Sequence, residues 1–257
     1  MEKPLTIKAI KERLTLIEDA QDSFILELKK DERKAVQQAL SSWEKKQEKA
    51  LKLKERAYEL LAYERQFLAQ GYQLIAGIDE VGRGPLAGPV VSAAVILPPG
   101  LELPGVDDSK KLSEKRRGEL VSLIEEHALA IGVGVMDEAV IDEVNIYQAT
   151  KLAMVQAVQN LKIQPDFLLI DAMPLPEAGI PFESIIKGDA KSTSIGAASI
   201  IAKEIRDQMM KDYDQQYPGY DFASNAGYGT KKHLDGLEKL GITPIHRKTF
   251  APIKDMI

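Results

Sequence analysis

The segment from Gly77 to Leu86, GIDEVGRGPL, constrains the fold of this chain more than any other stretch. An apolar run over residues 74–78 ends in two adjacent carboxylates, Asp79 and Glu80, and a Gly-Arg-Gly turn follows at once. Because two carboxylates are costly inside a strand, the pattern predicts a buried strand that ends at a site. Acids at a strand end suit a hard divalent cation, and glycines beside them let a ligand approach the backbone. Metal ions next to accessible backbone indicate phosphate chemistry.

After Gly71, short apolar runs alternate with helical stretches. Strands are predicted at 73–79, 90–97, 130–135, 166–171 and 183–188. Helices are predicted at 113–128, 145–161, 194–215 and 230–239, with N-caps at Ser113, Asp137 and Thr230. The short connections between the first strands suit antiparallel pairing, whereas the later strands alternate with helices as parallel strands do. We therefore expect an α/β protein with a mixed sheet and helices on both faces.

The first 70 residues are predicted to form an all-helical extension. Apolar side chains recur at helical spacing after a possible N-cap at Thr6; they are Ile7, Ile10, Leu14 and Ile17. Residues 31–70 contain no Gly or Pro, which predicts one long helix or two in series that end at Gly71. The domain boundary is accordingly expected between residues 71 and 72.

Charge differs between the extension and the rest of the chain. Residues 1–70 hold 15 basic and 13 acidic side chains, whereas residues 71–257 hold 19 basic and 26 acidic ones. Five lysines form a basic stretch near Trp43; they are Lys45, Lys46, Lys49, Lys52 and Lys54. A solvated helix face is the favoured interpretation of this stretch, because glutamates interleave at pairing distance. Contact with a phosphate backbone is the alternative.

Composition narrows the class of protein. The chain of 257 residues has no cysteine, which excludes disulfides and thiolate zinc sites and fits a reducing compartment. It has no apolar run of 18 residues and no signal-peptide pattern, so we expect a cytoplasmic protein without a membrane partner. Its net charge of −5 argues against a nonspecific nucleic-acid binder, although bound metal ions reverse the local sign of an acidic site.

Acidic residues follow two further predicted strands. Asp171 ends the run DFLLID, and Asp189 follows the apolar residues 185–186. In an open α/β sheet the carboxyl ends of neighbouring strands converge, so Asp79, Glu80, Asp171 and Asp189 are candidate ligands. Four carboxylates without Cys or His suit Mg²⁺ or Mn²⁺, and two ions about 3.5–4 Å apart are the usual arrangement for phosphodiester cleavage. For any one of these acids taken alone, a helix cap or the start of a turn is the better interpretation.

Five motifs in this order resemble bacterial ribonuclease HII. They are GIDEVGRGPLAGPV at 77–90, DSKKLS at 108–113, GDAKS at 188–192 followed by AASIIAKEIRD at 197–207, GYGT at 227–230 and HRKTF at 246–250. The resemblance covers about residues 72–254. It implies a ribonuclease H-like fold with a five-stranded mixed sheet. It also implies cleavage of the RNA strand of RNA–DNA hybrids and cleavage on the 5′ side of a single ribonucleotide in duplex DNA, in ribonucleotide removal and RNA primer removal.

The resemblance assigns roles to individual residues. The metal-binding acids of the family fall on Asp79, Glu80, Asp171 and Asp189. The GRG motif falls on Gly82, Arg83 and Gly84, where contacts to the 2′-hydroxyl of the ribonucleotide are expected, since that group marks RNA against DNA. The family's tyrosine falls on Tyr228, whose ring is expected to stack on the sugar of the following deoxynucleotide. Ser109, Lys110 and Lys111 match a segment that contacts the substrate backbone.

Each of these residues also has a purely structural interpretation. Gly82 and Gly84 suit a tight turn, and Tyr228 suits a packed aromatic side chain. Lysines 110, 111, 187 and 191 are typical of a surface, although the last two flank Asp189 and can steer phosphate. For His246 and Arg247, packing of the C-terminal tail is at least as good an interpretation as substrate contact. His127 and His233 are predicted to be surface residues of helices.

Two alternatives to a junction-reading nuclease differ in class. One is an enzyme like ribonuclease HIII, a paralogous group that also has an N-terminal extension but typically has Thr between the two glycines and a strand-containing extra domain. Arg83 and the helical extension favour HII. The other is a catalytically silent hybrid-binding protein, which the intact set of four acids argues against. The extension is inferred to help hold duplex because it is the more basic part. A monomer without a clear protein-partner motif is expected.

Overall fold

The computed structural model of the protein describes residues 5–106 and 112–257. The chain divides into two compact units, Met1–Arg56 and Ala57–Ile257. The predicted domain boundary between residues 71 and 72 stays a prediction. Within the described ranges, no helix combines the length and the apolar character that crossing a membrane requires.

Helices are the only regular secondary structure in the described part of the chain before the first strand. They are α1 (Ile7–Leu14), α2 (Ser23–Leu28), α3 (Lys34–Leu60) and α4 (Ala62–Ala69). The predicted cap of α1 is confirmed, since Thr6 Oγ1 accepts a hydrogen bond from the Ala9 N–H at 3.3 Å. α3 and α4 are the two helices in series that the lack of Gly and Pro allowed. A small core joins the first three helices; it includes Ile10, Phe24, Ile25, Val36 and Trp43.

All five predicted strands are present in one sheet. They are β1 (Ile75–Val81), β2 (Val90–Ile96), β3 (Ala130–Met136), β4 (Phe167–Asp171) and β5 (Phe182–Ile185). The strand order is β3-β2-β1-β4-β5. β1 pairs antiparallel with β2, and β2 with β3, whereas β1, β4 and β5 run parallel. The predicted mixed sheet is therefore confirmed, with its antiparallel part first in the chain.

Six α-helices follow β2 in the described chain. They are α5 (Glu114–His127), α6 (Glu138–Val144), α7 (Ile146–Gln159), α8 (Thr193–Gln216), α9 (Phe222–Asn225) and α10 (Lys231–Leu240). The four longer ones match the predicted helices, and the caps Ser113, Asp137 and Thr230 each accept a hydrogen bond from a backbone N–H of the first turn. The short helices α6 and α9 were not predicted, because each is too short to display a helical period, whereas α2 lies in the region predicted to be all-helical.

Helices cover both faces of the sheet. α7 packs on one face against a cluster that includes Ile78, Ile96 and Ile170. α5 and α8 pack on the other face against β2. A Cβ atom on Gly77 would lie only 2.1 Å from the Ser194 carbonyl carbon, so glycine is needed where the first turn of α8 crosses β1. This close approach fixes the start of α8 beside the acidic end of β1.

Candidate active site

Two of the predicted acids lie level on neighbouring parallel strands. Ile78 of β1 pairs with Ile170 of β4, so Asp79 and Asp171 are the next residues along the two strands. Both isoleucines point into the core beneath α7. Because side chains alternate along a strand, both aspartates point to the opposite face, towards α8. The parallel pairing of β1 with β4 thus brings two carboxylates from distant parts of the sequence to one end of the sheet.

Asp79 is the most buried of the four acids, with 5% of its surface exposed. Burial raises the pKa of Asp79 well above its usual range, and the charges of Glu80 and Asp171 raise it further. A hydrogen bond with the Ser199 side chain and another from the Glu80 N–H, at 2.7 Å, oppose this rise in pKa. A carboxylate that is desolvated beside other carboxylates is stabilised by a cation, so the electrostatics suit a metal ion.

Asp189 is brought near Asp171 by a single-turn 3₁₀ helix, Gly188–Ala190. Gly188 N–H donates a hydrogen bond to Asp171 Oδ1 at 2.7 Å, and Asp189 is the next residue. Asp189 Oδ1 accepts a hydrogen bond from the Ala190 N–H at 2.9 Å, which limits the rotation of its carboxylate. The third acidic segment therefore adjoins the second through one backbone hydrogen bond.

The Glu80 side chain lies on the opposite face of β1 from Asp79 and forms an ion pair with Arg83 of the glycine-rich turn. Arg83 Nη1 lies 3.3 Å from Glu80 Oε1, and the Arg83 side chain is 45% exposed. Water screens the exposed arginine, so the pair contributes little stability although the Glu80 side chain is only 11% exposed. Arg83 therefore keeps its guanidinium at the surface next to the acids, which is where an arginine that contacts a polyanion has to be.

The donor set fits a hard divalent cation, since all four candidate ligands are carboxylates. Among residues 5–106 and 112–257, no three Asp, Glu or His side chains already surround a common point in the way a bound ion requires. The side chains of Asp79, Glu80, Asp171 and Asp189 are the ones that would hold such an ion. The described structure places these four carboxylates near one another at one end of the sheet.

Two buried arginines hold the loop between β1 and β2. Among the described salt bridges, neither arginine pairs with a carboxylate. Arg247 donates hydrogen bonds to the carbonyl oxygens of Gly82, Arg83 and Gly88 at 2.5–3.1 Å. Arg206 of α8 donates to those of Ala87 and Pro89. Burial lowers the pKa of Arg247 to about 9, with the Arg206 charge as the next cause, and burial lowers the pKa of Arg206 to about 10. Arg247 thus has the packing role, and the sequence interpretation missed Arg206.

Tyr228 lies against the same loop. A Cβ atom on Gly84 would lie 3.3 Å from Tyr228 Cε1, so the tyrosine ring borders the second glycine of the GRG motif. The ring remains 47% exposed. The Leu86 N–H donates a hydrogen bond to the Gly227 carbonyl at 2.8 Å and joins the two loops beside this contact. Two motifs that lie more than 140 residues apart in the sequence thus form one surface.

The prediction that His233 is a surface residue is wrong. His233 is completely buried, as is His246, and their Nε2 atoms lie 3.0 Å apart. α10 turns the side of the helix that carries His233 and Leu237 inward, so the histidine shares its face with a core leucine. That spacing of four was the signal in the sequence. His127, the last residue of α5, is exposed as predicted.

The remaining candidates differ in what the structure describes. Ser109, Lys110 and Lys111 lie outside the described residues. Lys187 and Lys191 are exposed on either side of Asp189. One further residue, Glu64 of α4, was not predicted. Its Oε1 accepts hydrogen bonds from Ser192 Oγ, Ser194 N–H and Ser194 Oγ at 2.6–2.9 Å, directly after the acidic turn.

Comparison with known proteins assigns the family. The model of the family described as "Ribonuclease HII" matches residues 76–253, and that of the "Ribonuclease HII N-terminal domain" matches residues 6–68. The chain is 58% identical to ribonuclease HII of Enterococcus faecalis over 252 residues, covering 98% of both chains. It is 55% identical to ribonuclease HII of Listeria innocua over 250 residues, covering 97% of this chain and 95% of the relative. The crystal structure of ribonuclease H2 from Pyrococcus horikoshii OT3 superposes with a TM-score of 0.63 at 27% identity, over 72% of this chain and 97% of that one. The same fold, the same domain pair and this level of identity place the chain in the ribonuclease HII family of nucleases.

Proposed function

We propose that this protein is a divalent-metal-dependent endonuclease that cleaves the RNA strand of RNA–DNA hybrids and the 5′ side of single ribonucleotides in duplex DNA. The observation that carries the proposal is the joining of two surfaces at one end of the sheet. The acids near the ends of β1 and β4 and after β5 adjoin the loop against which Tyr228 packs. An enzyme that cleaves next to a 2′-hydroxyl needs both a site for metal ions and a surface that recognises the sugar.

Each of the four carboxylates would bind Mg²⁺ or Mn²⁺ in a different position. Asp79, which is central and most buried, would contact two ions, Glu80 and Asp171 would hold one of them, and Asp189 the other. When bound, the ions supply an activated water and stabilise the negative charge on the departing 3′-oxygen. No side-chain nucleophile is needed, and the products carry 5′-phosphate and 3′-hydroxyl ends.

Recognition of the junction falls to the loop and the tyrosine. The backbone of Gly82 and Gly84 and the guanidinium of Arg83 would contact the 2′-hydroxyl beside the scissile phosphate. The exposed ring of Tyr228 would stack on the sugar of the next deoxynucleotide. In the cell these preferences serve the removal of ribonucleotides from DNA and of RNA primers.

An Asp171→Asn variant tests the metal site. Loss of one charged ligand is expected to lower kcat by at least about 100-fold, or about 3 kcal/mol of transition-state stabilisation. The matched control is Glu183→Gln, which neutralises an exposed carboxylate on β5 and is expected to leave kcat unchanged. Both variants should keep the far-ultraviolet circular dichroism of the parent. An Asp171→Asn enzyme with more than a small fraction of parental turnover would remove Asp171 from the site.

The helical extension is proposed to hold duplex outside the cleaved step. A groove of about 890 Å³ in the first unit is lined by four lysines and no acidic side chain; the lysines are Lys11, Lys34, Lys45 and Lys46. Phosphate contacts make affinity fall with salt, so Lys45→Gln/Lys46→Gln should raise KM and reduce the salt slope by about 1–2 without changing kcat. Lys29→Gln/Lys30→Gln, outside the groove lining, is the charge-matched control. Equal salt slopes in the two variants would refute the role of the groove.

A further inference from the structure

His233 and His246 form the middle of a hydrogen-bonded chain that ends on the main chain of Tyr228. The Thr243 backbone nitrogen and the Thr243 hydroxyl oxygen each lie 2.8 Å from His246 Nδ1, and His246 Nε2 lies 3.0 Å from His233 Nε2. His233 Nδ1 lies 2.9 Å from the Tyr228 carbonyl oxygen. Both imidazoles are completely buried, and neither is among the acids of the candidate active site. Because neither ring has exposed surface, neither can contact substrate directly.

The ends of this chain determine the tautomer of each ring. A backbone N–H can only donate, so His246 Nδ1 is an acceptor and the proton of His246 is on Nε2. A carbonyl oxygen can only accept, so His233 Nδ1 carries the proton and its Nε2 is an acceptor. The His246 Nε2–H then donates to His233 Nε2. The Thr243 hydroxyl donates to the same His246 Nδ1, so a single arrangement with both rings neutral satisfies all of these contacts.

The surroundings of the pair favour the neutral rings. The aromatic rings of Tyr220 and Phe222 lie within 6.2 Å of both imidazoles, centroid to centroid. Burial lowers the pKa of His233, and burial together with the His233 charge lowers the pKa of His246 to about 4. At neutral pH the chain of donors and acceptors therefore stays intact.

The hydrogen bonds of the Tyr228 carbonyl restrain the position of the Tyr228 ring. This oxygen accepts hydrogen bonds from the Thr230 N–H at 2.7 Å and from His233 Nδ1. On the preceding side, a Cβ atom on Gly227 would lie 2.4 Å from the Ala87 carbonyl oxygen, so the peptide is also confined there. The peptide groups before and after Tyr228 are both held in place. The direction in which the Tyr228 side chain leaves the main chain is therefore fixed as well.

We propose that His233 and His246 are positioning residues for recognition of the RNA-to-DNA junction: they orient the Tyr228 peptide so that the ring stays beside Gly84. This inference rests on the proposed role of Tyr228 in the function above. It makes two histidines that never touch substrate part of the selectivity for a single ribonucleotide. Cleavage of a continuous hybrid, for which the acids suffice, does not depend on them.

The tautomers are directly measurable in the full-length protein. With only three histidines in the chain, ring ¹⁵N–¹H correlation spectra are readily assigned, and exposed His127 serves as the internal reference. We expect the proton of His233 on Nδ1 and that of His246 on Nε2. The opposite tautomer at either ring, or charged imidazoles at neutral pH, would overturn the proposed chain.

Two variants of His233 that have the same shape distinguish the effect of its hydrogen-bond donor from the effect of its volume. Asn and Leu have the same shape, but only Asn places an N–H where His233 Nδ1 stands. The measured quantity is the ratio of kcat/KM for a single-ribonucleotide duplex to kcat/KM for a continuous hybrid. We expect His233→Leu to lower this ratio about tenfold and His233→Asn to stay within about threefold of the parent, the size of effect that one hydrogen bond supports. A merely structural role would lower both activities together and leave their ratio unchanged.

A Tyr228→Ala variant distinguishes failure of this inference from failure of the proposed function. If Tyr228→Ala lowers the ratio and Tyr228→Ala/His233→Leu lowers it no further, the two residues act together as proposed. If Tyr228→Ala lowers the ratio but the Leu and Asn variants of His233 behave alike, the positioning role is refuted and the role of Tyr228 stands. If Tyr228→Ala leaves the ratio unchanged, the role of Tyr228 itself is refuted, and the positioning role falls with it.

Discussion

At the scale of single residues, the molecule uses buried charge to shape a loop. Arg206 and Arg247 are fully buried, yet their hydrogen bonds go to main-chain carbonyl oxygens of residues 82–89 and 226. A guanidinium has five donors in a rigid fork, so one side chain holds several carbonyls at once. The cost of burying these charges appears in the lowered pKa of both groups. The loop that carries Arg83 is therefore held from beneath, while Arg83 itself faces outward.

Arg83→Ala and Arg83→Lys test whether this outward guanidinium reads the sugar. We expect Arg83→Ala to lower kcat/KM at a single ribonucleotide about tenfold, because hydrogen bonds to a charged donor are lost. Arg83→Lys keeps the charge beside Glu80 but lacks the planar fork, so it should recover only part of the activity. The discrimination between ribose and deoxyribose is measured by parallel binding to an all-DNA duplex. Equal discrimination in all three proteins would contradict a role for Arg83 in recognition.

At the scale of elements, α4 is tied to the start of α8. The buried Glu64 of α4 accepts three hydrogen bonds from Ser192 and Ser194, one of them from a backbone N–H in the first turn of α8. A carboxylate at this end of a helix satisfies otherwise unpaired donors and complements the helix dipole. Because Ser192 follows Asp189 by three residues, the same contact restrains the acidic turn. A residue within the region matched by the N-terminal family model thus supports the end of the sheet that carries the acids.

Substitution of Glu64 should therefore affect both stability and activity. Glu64→Ala leaves buried donors without an acceptor, and we expect it to lower the free energy of unfolding by about 2–3 kcal/mol. Glu64→Gln keeps an oxygen acceptor and should lose less than half as much. Urea unfolding and kcat under conditions where each variant is folded are the measurements. Glu55→Ala, which removes an exposed carboxylate from α3, is the control, and a Glu64→Ala protein as stable as this control would contradict the anchoring role.

The helices and strands show which parts of the fold can be predicted from the sequence alone. The five strands and the longer helices were predictable because each has an apolar run or period long enough to recognise. Asp79 and Asp171 were predictable because they end such runs. Arg206 and Glu64 were not, since each depends on which helix face is covered by a distant element, and the burial of His233 was signalled only by its spacing of four from Leu237. In hindsight, Arg206 lies four residues after Ala202 and four before Met210 on a buried stripe, and a charged residue in such a stripe signals a buried hydrogen-bonding role.

At the scale of the whole molecule, strand order explains why distant acids meet. The sheet is antiparallel on one side of β1 and parallel on the other, so β1, β4 and β5 all end at the same edge. The negative charge gathered there would repel a nucleic acid until divalent cations reverse its sign. The metal requirement and the specificity for the junction are thus proposed to belong to one surface rather than to two separate sites.

Cleavage of a labelled DNA duplex that contains one ribonucleotide tests this account most directly. The reaction is run with Mg²⁺ or Mn²⁺, with an EDTA control and with a continuous RNA–DNA hybrid in parallel. We expect a cut on the 5′ side of the ribonucleotide that requires the metal and leaves a 3′-hydroxyl end. Degradation of the continuous hybrid without any cut at the single ribonucleotide would contradict it, and would make Arg83 and Tyr228 structural residues of a hybrid nuclease of HIII type.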